Sequence, residues 1–66
     1  MAPYQQRVVD EKKGLDEKLA RLLAFTRTEV YRNLPEDEQN RLSRQYDFMY
    51  GYSCILGERI AAFPTE

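Results

Sequence analysis

The sequence has no histidine, one cysteine, three glycines and no apolar run long enough to span a bilayer. Each shortage removes a class of protein. Without histidine, zinc and haem sites lose their commonest ligand. A histidine-based triad or acid–base pair is excluded outright. The single thiol, Cys54, leaves no internal disulfide, and a lone thiol suits a reducing compartment. The glycines are dispersed, so there is no glycine-rich phosphate loop. A membrane helix needs roughly 20 apolar residues in a row, and none is present. A signal-peptide apolar region is not expected either, because Arg7, Asp10, Glu11, Lys12 and Lys13 follow the N-terminus almost at once. The expected location is the cytoplasm. Charge of one sign is also lacking: ten basic and eleven acidic residues give a net charge of −1. Duplex nucleic-acid binders carry a clear positive excess, so no duplex partner is expected, and no membrane partner.

What remains is 66 residues rich in helix formers. Two heptad ladders run through them. The first is Val8, Lys12, Leu15, Leu19, Leu22, Thr26; the second is Leu42, Tyr46, Met49, Ser53, Leu56, Ile60, Phe63. Intervals alternating between four and three keep side chains on one stripe of an α-helix. Pro3 suits a helix start. Asn33-Leu34 reads as a stop and Pro35-Glu36-Asp37-Glu38 as a start, with negative charge in the first turn where the helix dipole favours it. Pro64 marks the end of the second helix. The expected fold is all-α: one antiparallel two-helix hairpin over residues 1–66, with helices over about 4–32 and 35–63 and a turn at 33–35. There is no repeat, low-complexity tract or strand-like alternation.

A chain this short buries only about 60% of its unfolded surface. With no disulfide or metal to staple it, oligomerisation is the remaining support. A second set of apolar side chains fits that expectation: Val9, Leu23, Phe25, Val30 and Tyr31 on the first helix, and Phe48, Tyr50, Tyr52, Ile55 and Ala62 on the second. A second apolar stripe calls for a partner helix. Gly51, Gly57 and Ala61 would allow close approach. Gly14 reads either as a tolerated helix defect or as a place where something packs on the backbone.

Catalysis has little to draw on. Cys54 lies in the apolar run Tyr52-Ser53-Cys54-Ile55-Leu56, where it reads as an inert core residue. The carboxylates stand at helix-surface spacings beside Lys and Arg, as solvated faces do. No enzyme, metal or cofactor is expected. One constellation invites a ligand. Tyr4, Glu11 and Lys18 recur every seven residues, with Arg7 and Gly14 on the same face. A tyrosine ring can stack on a purine, and Arg and Lys can pair with phosphate. The bland alternative is a polar helix face with a frayed aromatic end.

The run from Tyr4 to Leu19, together with Leu22-Leu23-Ala24-Phe25, Leu34 to Gln39, Gln45 to Tyr52 and Ile55 to Ile60, resembles a family of small phage-encoded helical hairpins. That family includes the "sponge" proteins that blunt bacterial immunity. They sequester cyclic oligonucleotides made by cGAS-like enzymes (anti-CBASS) or cyclic ADP-ribose isomers made by TIR enzymes (anti-Thoeris), without cleaving them. The resemblance implies a homo-oligomeric helical bundle, a hexamer, with ligand between protomers in an infected bacterial cell. It implies an N-terminal Tyr stacking on a base and a Lys about four turns later meeting phosphate. Tyr4 and Lys18 match those in type and approximate spacing, with Lys12 and Lys13 nearby. Gln45, Phe48 and Met49 match a Gln-x-x-aromatic-Met pattern in the second helix. Where that region carries an Arg for a trinucleotide-type site, this chain offers Ser53, and Arg59 is the nearest cation. The expected ligand-binding residues are Tyr4, Arg7, Glu11, Lys18 and Arg59, and the expected ligand is a cyclic di- or trinucleotide or a cyclic ADP-ribose isomer. The rival expectations are an oligomeric helical adaptor for a host or phage protein, and a structural oligomer without a ligand.

Overall fold

The computed structural model describes residues 1–64. It is all-helical among them: α1 spans Pro3–Phe25, α2 Glu29–Arg32 and α3 Glu36–Ala61. Helices α1 and α3 pack antiparallel into a rod about 52 Å long and 14 Å across. No helix is long and apolar enough to cross a membrane.

Local chemistry fixes each end. Pro3 occupies the first helical turn, and the Gln5 side chain reaches back to accept from the Ala2 N–H at 2.8 Å. This supplies one half of a capping box; Ala2 has no side-chain oxygen to supply the other. Pro35, extended at φ −54° and ψ 147°, opens α3, and Glu36, Asp37 and Glu38 fill its first turn. Gln39 closes the turn from within α3. Its amide donates to Leu34 O at 2.9 Å and to Arg32 O at 3.2 Å, so carbonyls released by the end of α2 are not left unpaired.

One expectation fails. The helix expected to continue to Arg32 stops at Phe25, and residues 29–32 form a separate turn of helix. Two threonines explain the break. Thr26 Oγ1 donates to Leu23 O and Thr28 Oγ1 to Phe25 O, while Thr28 Oγ1 accepts from Tyr31 N–H as the cap of α2. Hydroxyls this close to the backbone compete with the helical ladder. Thr28 goes extended, the chain bends, and Phe25 meets Tyr31 edge-on at 6.0 Å.

The two ladders do face each other. Val8, Leu15, Leu19 and Leu56 form the buried apolar core, flanked by half-buried Tyr46, Met49, Ile60 and Phe63. Leu56 has no exposure at all. Within this seam sits a polar layer. Lys12 Nζ donates to Ser53 Oγ and to Asp16 Oδ2, both at 2.9 Å, and Ser53 donates to Asp16 Oδ1. Gly57 lies alongside: a Cβ there would meet the Lys12 Cε at 3.4 Å, a van der Waals contact. Asp16 therefore belongs to a three-residue network and not to an ordinary solvated face. The bonds from Lys12 and then Ser53 hold its carboxyl below the usual aspartate range, against a smaller opposing effect of burial.

Two further expectations change. Cys54 is exposed, so it is not part of this protomer's core. Nothing stands within 4 Å of a Cβ built at Gly14 or Gly51, so within the hairpin neither provides close packing.

The polar layer yields two predictions. Ser53→Ala removes the buried hydroxyl that joins Lys12 to Asp16 across the seam, and should cost about 1 kcal/mol in a urea titration. Because the Asp16 pKa is depressed on folding, its stabilising contribution is complete above its unfolded pKa and is lost as pH falls through the lower folded value. Acid titration of unfolding below about pH 4 should show that loss, and Asp16→Asn should flatten that segment of the curve.

Candidate functional site

Tyr4 stands in the first turn of α1, where Pro3 and the Ala2–Gln5 cap hold the backbone helical. Its ring packs edge-on against Phe63, with centroids 5.9 Å apart and planes at 79°. Phe63 follows the end of α3, so the pair ties the two ends of the chain together. The Tyr4 hydroxyl accepts from Gln5 Nε2 at 3.4 Å. Tyr4 nonetheless remains 49% exposed. It is an anchored ring with a free surface, and not a frayed terminal side chain. An edge-to-face partner restrains a ring without covering both faces, which is the condition a stacking platform requires.

The other expected residues lie along the same rod. Arg7, Glu11 and Lys18 are exposed on α1, and Arg59 is exposed one turn before Phe63 on α3. None of these four forms an ion pair among the described residues. Their charges are therefore open to a ligand. Axial spacing sorts them. At 1.5 Å per residue, Arg7 is about 4.5 Å along α1 from Tyr4, Glu11 about 10 Å and Lys18 about 21 Å. Arg7 and Tyr4 can therefore address one small molecule at one end of one protomer. Lys18 stands too far along the helix to share a compact ligand with the Tyr4 of its own chain.

The opposite flank of α1 carries an open groove lined by Val9, Lys12, Lys13, Asp16, Glu17, Ala20 and Ile60. Its walls are largely aliphatic stems, and its only networked charges are Lys12 and Asp16. Lys12 and Ser53 were legible as inward ladder positions, but their bond to Asp16 was not. The role of Phe63 as the partner of Tyr4 was likewise absent from the expected site. Among the described residues, no cluster of three or more acidic, cysteine or histidine side chains could hold a metal.

The Sequestin family model matches residues 2–62. The chain belongs to the Sequestin family. The match contains every expected ligand-binding position, from Tyr4 to Arg59, and both ladders except Phe63. The family name suggests sequestration of something, which agrees with a binding role. No curated protein and no solved structure matches the chain.

Tyr4 and Lys18 should separate in stability measurements on this Sequestin. Lys18 is exposed and forms no ion pair among the described residues, so Lys18→Ala should change unfolding free energy by less than about 0.5 kcal/mol. Tyr4→Ala removes the Phe63 pair and should cost roughly 0.5–1.5 kcal/mol, with little change in far-UV helix signal. A urea titration of the two variants beside the parent checks both.

Proposed function

We propose that this Sequestin is a non-catalytic sponge that captures a cyclic nucleotide immune signal: a cyclic di- or trinucleotide, or a cyclic ADP-ribose isomer. The setting is the cytoplasm of a bacterium under phage infection, where the protein counters CBASS or Thoeris defence. The observation that carries this reading is the anchored, half-exposed Tyr4 ring with unpaired Arg7 beside it, inside a chain matched to the Sequestin family over residues 2–62. Tyr4 stacks on a base, and Arg7 and Lys18 meet phosphate.

The axial spacing supports a site shared between copies. A base and a phosphate of one small cyclic nucleotide lie closer together than Tyr4 and Lys18 of one helix. A pocket using both takes Tyr4 from one protomer and Lys18 from another, which requires a homo-oligomer; the hexamer is the assembly proposed here. Glu11 would border the same face and select against ligands with phosphate in its path. Arg59, one turn before Phe63 on α3, is a further exposed cation of the chain. Capture needs affinity and abundance, not turnover. A sponge lowers free signal when its sites outnumber the signal molecules and its Kd lies below the effector's threshold. A chain without histidine or an activated nucleophile loses nothing by this.

A thermal-shift screen against cyclic di- and trinucleotides and cyclic ADP-ribose isomers tests the reading. A ligand present at a hundred times its Kd stabilises the folded state by about 2.7 kcal/mol, a shift of several degrees for a domain this size. One ligand class should produce it, and Tyr4→Ala and Lys18→Ala should abolish it while leaving the helix signal intact. No shift with any class on an intact oligomer would favour the adaptor. That second reading draws on the exposed apolar side chains of α3, which an adaptor would offer to a host or phage protein.

A further inference from the structure

Helix α3 carries a second 4–3–4 ladder, Phe48, Tyr52, Ile55 and Arg59, about a third of a turn around the helix from the seam it shares with α1. Its apolar members are left in solvent by the hairpin: Phe48 is 77% exposed, Tyr52 45% and Ile55 57%. Polar side chains occupy most of the outer surface elsewhere. A run of two aromatics and an isoleucine at heptad spacing is the composition of an interface core and not of a wetted face.

We infer that this stripe is where a second copy of the chain docks, through antiparallel pairing of α3 with α3. The inference rests on the sponge reading only in giving that oligomer its interface, and its test does not use ligand. Two observations favour a copy of this chain over another occupant. The first is area. The hairpin presents 5112 Å², whereas a compact monomer of 7.8 kDa presents about 4,400 Å². The elongated hairpin thus leaves about 700 Å² more of its surface in solvent than a compact chain of its mass, against the 800 Å² or so that each partner gives up in a standard interface.

The second is charge. Antiparallel heptad pairing sets ladder residues opposite one another in discrete registers. A register that sets Phe48 opposite Tyr52 of the second copy also sets Arg41 against Arg59 of the second copy, a like-charge clash at both ends. One heptad along, Tyr52 meets Ile55 of the second copy, and Arg59 lies over the ring of Phe48 of the second copy. That register joins the apolar centre and turns the cation into a cation–π contact at each end. Parallel pairing would stack Arg59 on its own copy. The stripe is thus self-complementary in one arrangement.

Light scattering on the full-length chain tests the face, and thiol cross-linking tests the register. The parent should be larger than a single chain. Ile55→Asp should lower the particle mass, while Val30→Asp, a charge placed on an exposed residue of α2, should not. If Ile55→Asp fails to fold, a second experiment still decides. In a Cys54→Ser background, Tyr52→Cys and Ile55→Cys chains are mixed and oxidised. The mixture should form disulfide-linked dimers severalfold faster than either variant alone, because only the mixed pair is directly opposed. A monomeric parent, an Ile55→Asp particle of parental mass, or cross-linking no faster in the mixture would overturn the proposal. A nucleotide-dependent thermal shift in a parent that fails these tests would leave the sponge standing and remove only this interface.

Discussion

Lys12 points into the α1–α3 seam, and the hairpin is organised around keeping that ammonium partnered. Its two hydrogen bonds run to Asp16 on its own helix and to Ser53 on the facing helix. An apolar seam can slide by a heptad and still bury comparable side chains, as a charged layer cannot. Displacing Ser53 or Asp16 takes hydrogen-bond partners from the Lys12 ammonium, whose side chain is 30% exposed. The lysine stem passes beside Gly57 on the facing helix. That layer, the apolar core and the Tyr4–Phe63 pair all agree on one register of the two helices.

A hairpin held this way leaves much of itself in contact with water. The buried apolar core is Val8, Leu15, Leu19 and Leu56, along a rod whose length is several times its width. The same elongation that makes the protomer thin sets out three distinct faces: the sealed seam, the anchored Tyr4 flank with its unpaired charges, and the aromatic stripe of α3. In the proposed sponge, binding at Tyr4 and assembly through the stripe would use different parts of one short chain. The separation of Tyr4 and Lys18 along α1 joins the two roles, since a pocket that needs both residues needs more than one copy.

The interruption after Phe25 sets the shape of the closed end. Thr26 and Thr28 take the Leu23 and Phe25 carbonyls with their hydroxyls. The following turn then folds Tyr31 back over Phe25 and onto the Gln39 carbonyl. Gln39 bonds to both Arg32 O and Leu34 O. The closed end is thus pinned by side-chain bonds and aromatic contact, and the open end by the Tyr4–Phe63 pair.

Helix content, the stop at Asn33-Leu34-Pro35 and the inward-facing stripes were legible in the sequence. Periodicity, proline and first-turn charge act over a few residues, and those are local properties. The continuous first helix was misread because threonine's helix propensity is only mildly unfavourable; its hydroxyl's choice between water and a neighbouring carbonyl is made by the bend it accompanies. Cys54 read as core because its neighbours are apolar, but helical phase turns it outward. Tyr4, Arg7, Glu11 and Lys18 could be named from their types and spacing, and Arg59 only through the family resemblance. That Tyr4 is steadied by a ring 59 positions away in sequence, and that Asp16 closes a network with Ser53, depended on the antiparallel crossing. The sequence alone determined that the chain is helical and which stripes are apolar, because those depend on neighbours within a turn. Only the tertiary structure decided which charges are paired and which rings are held, because those depend on what the opposite helix brings within hydrogen-bonding or van der Waals distance.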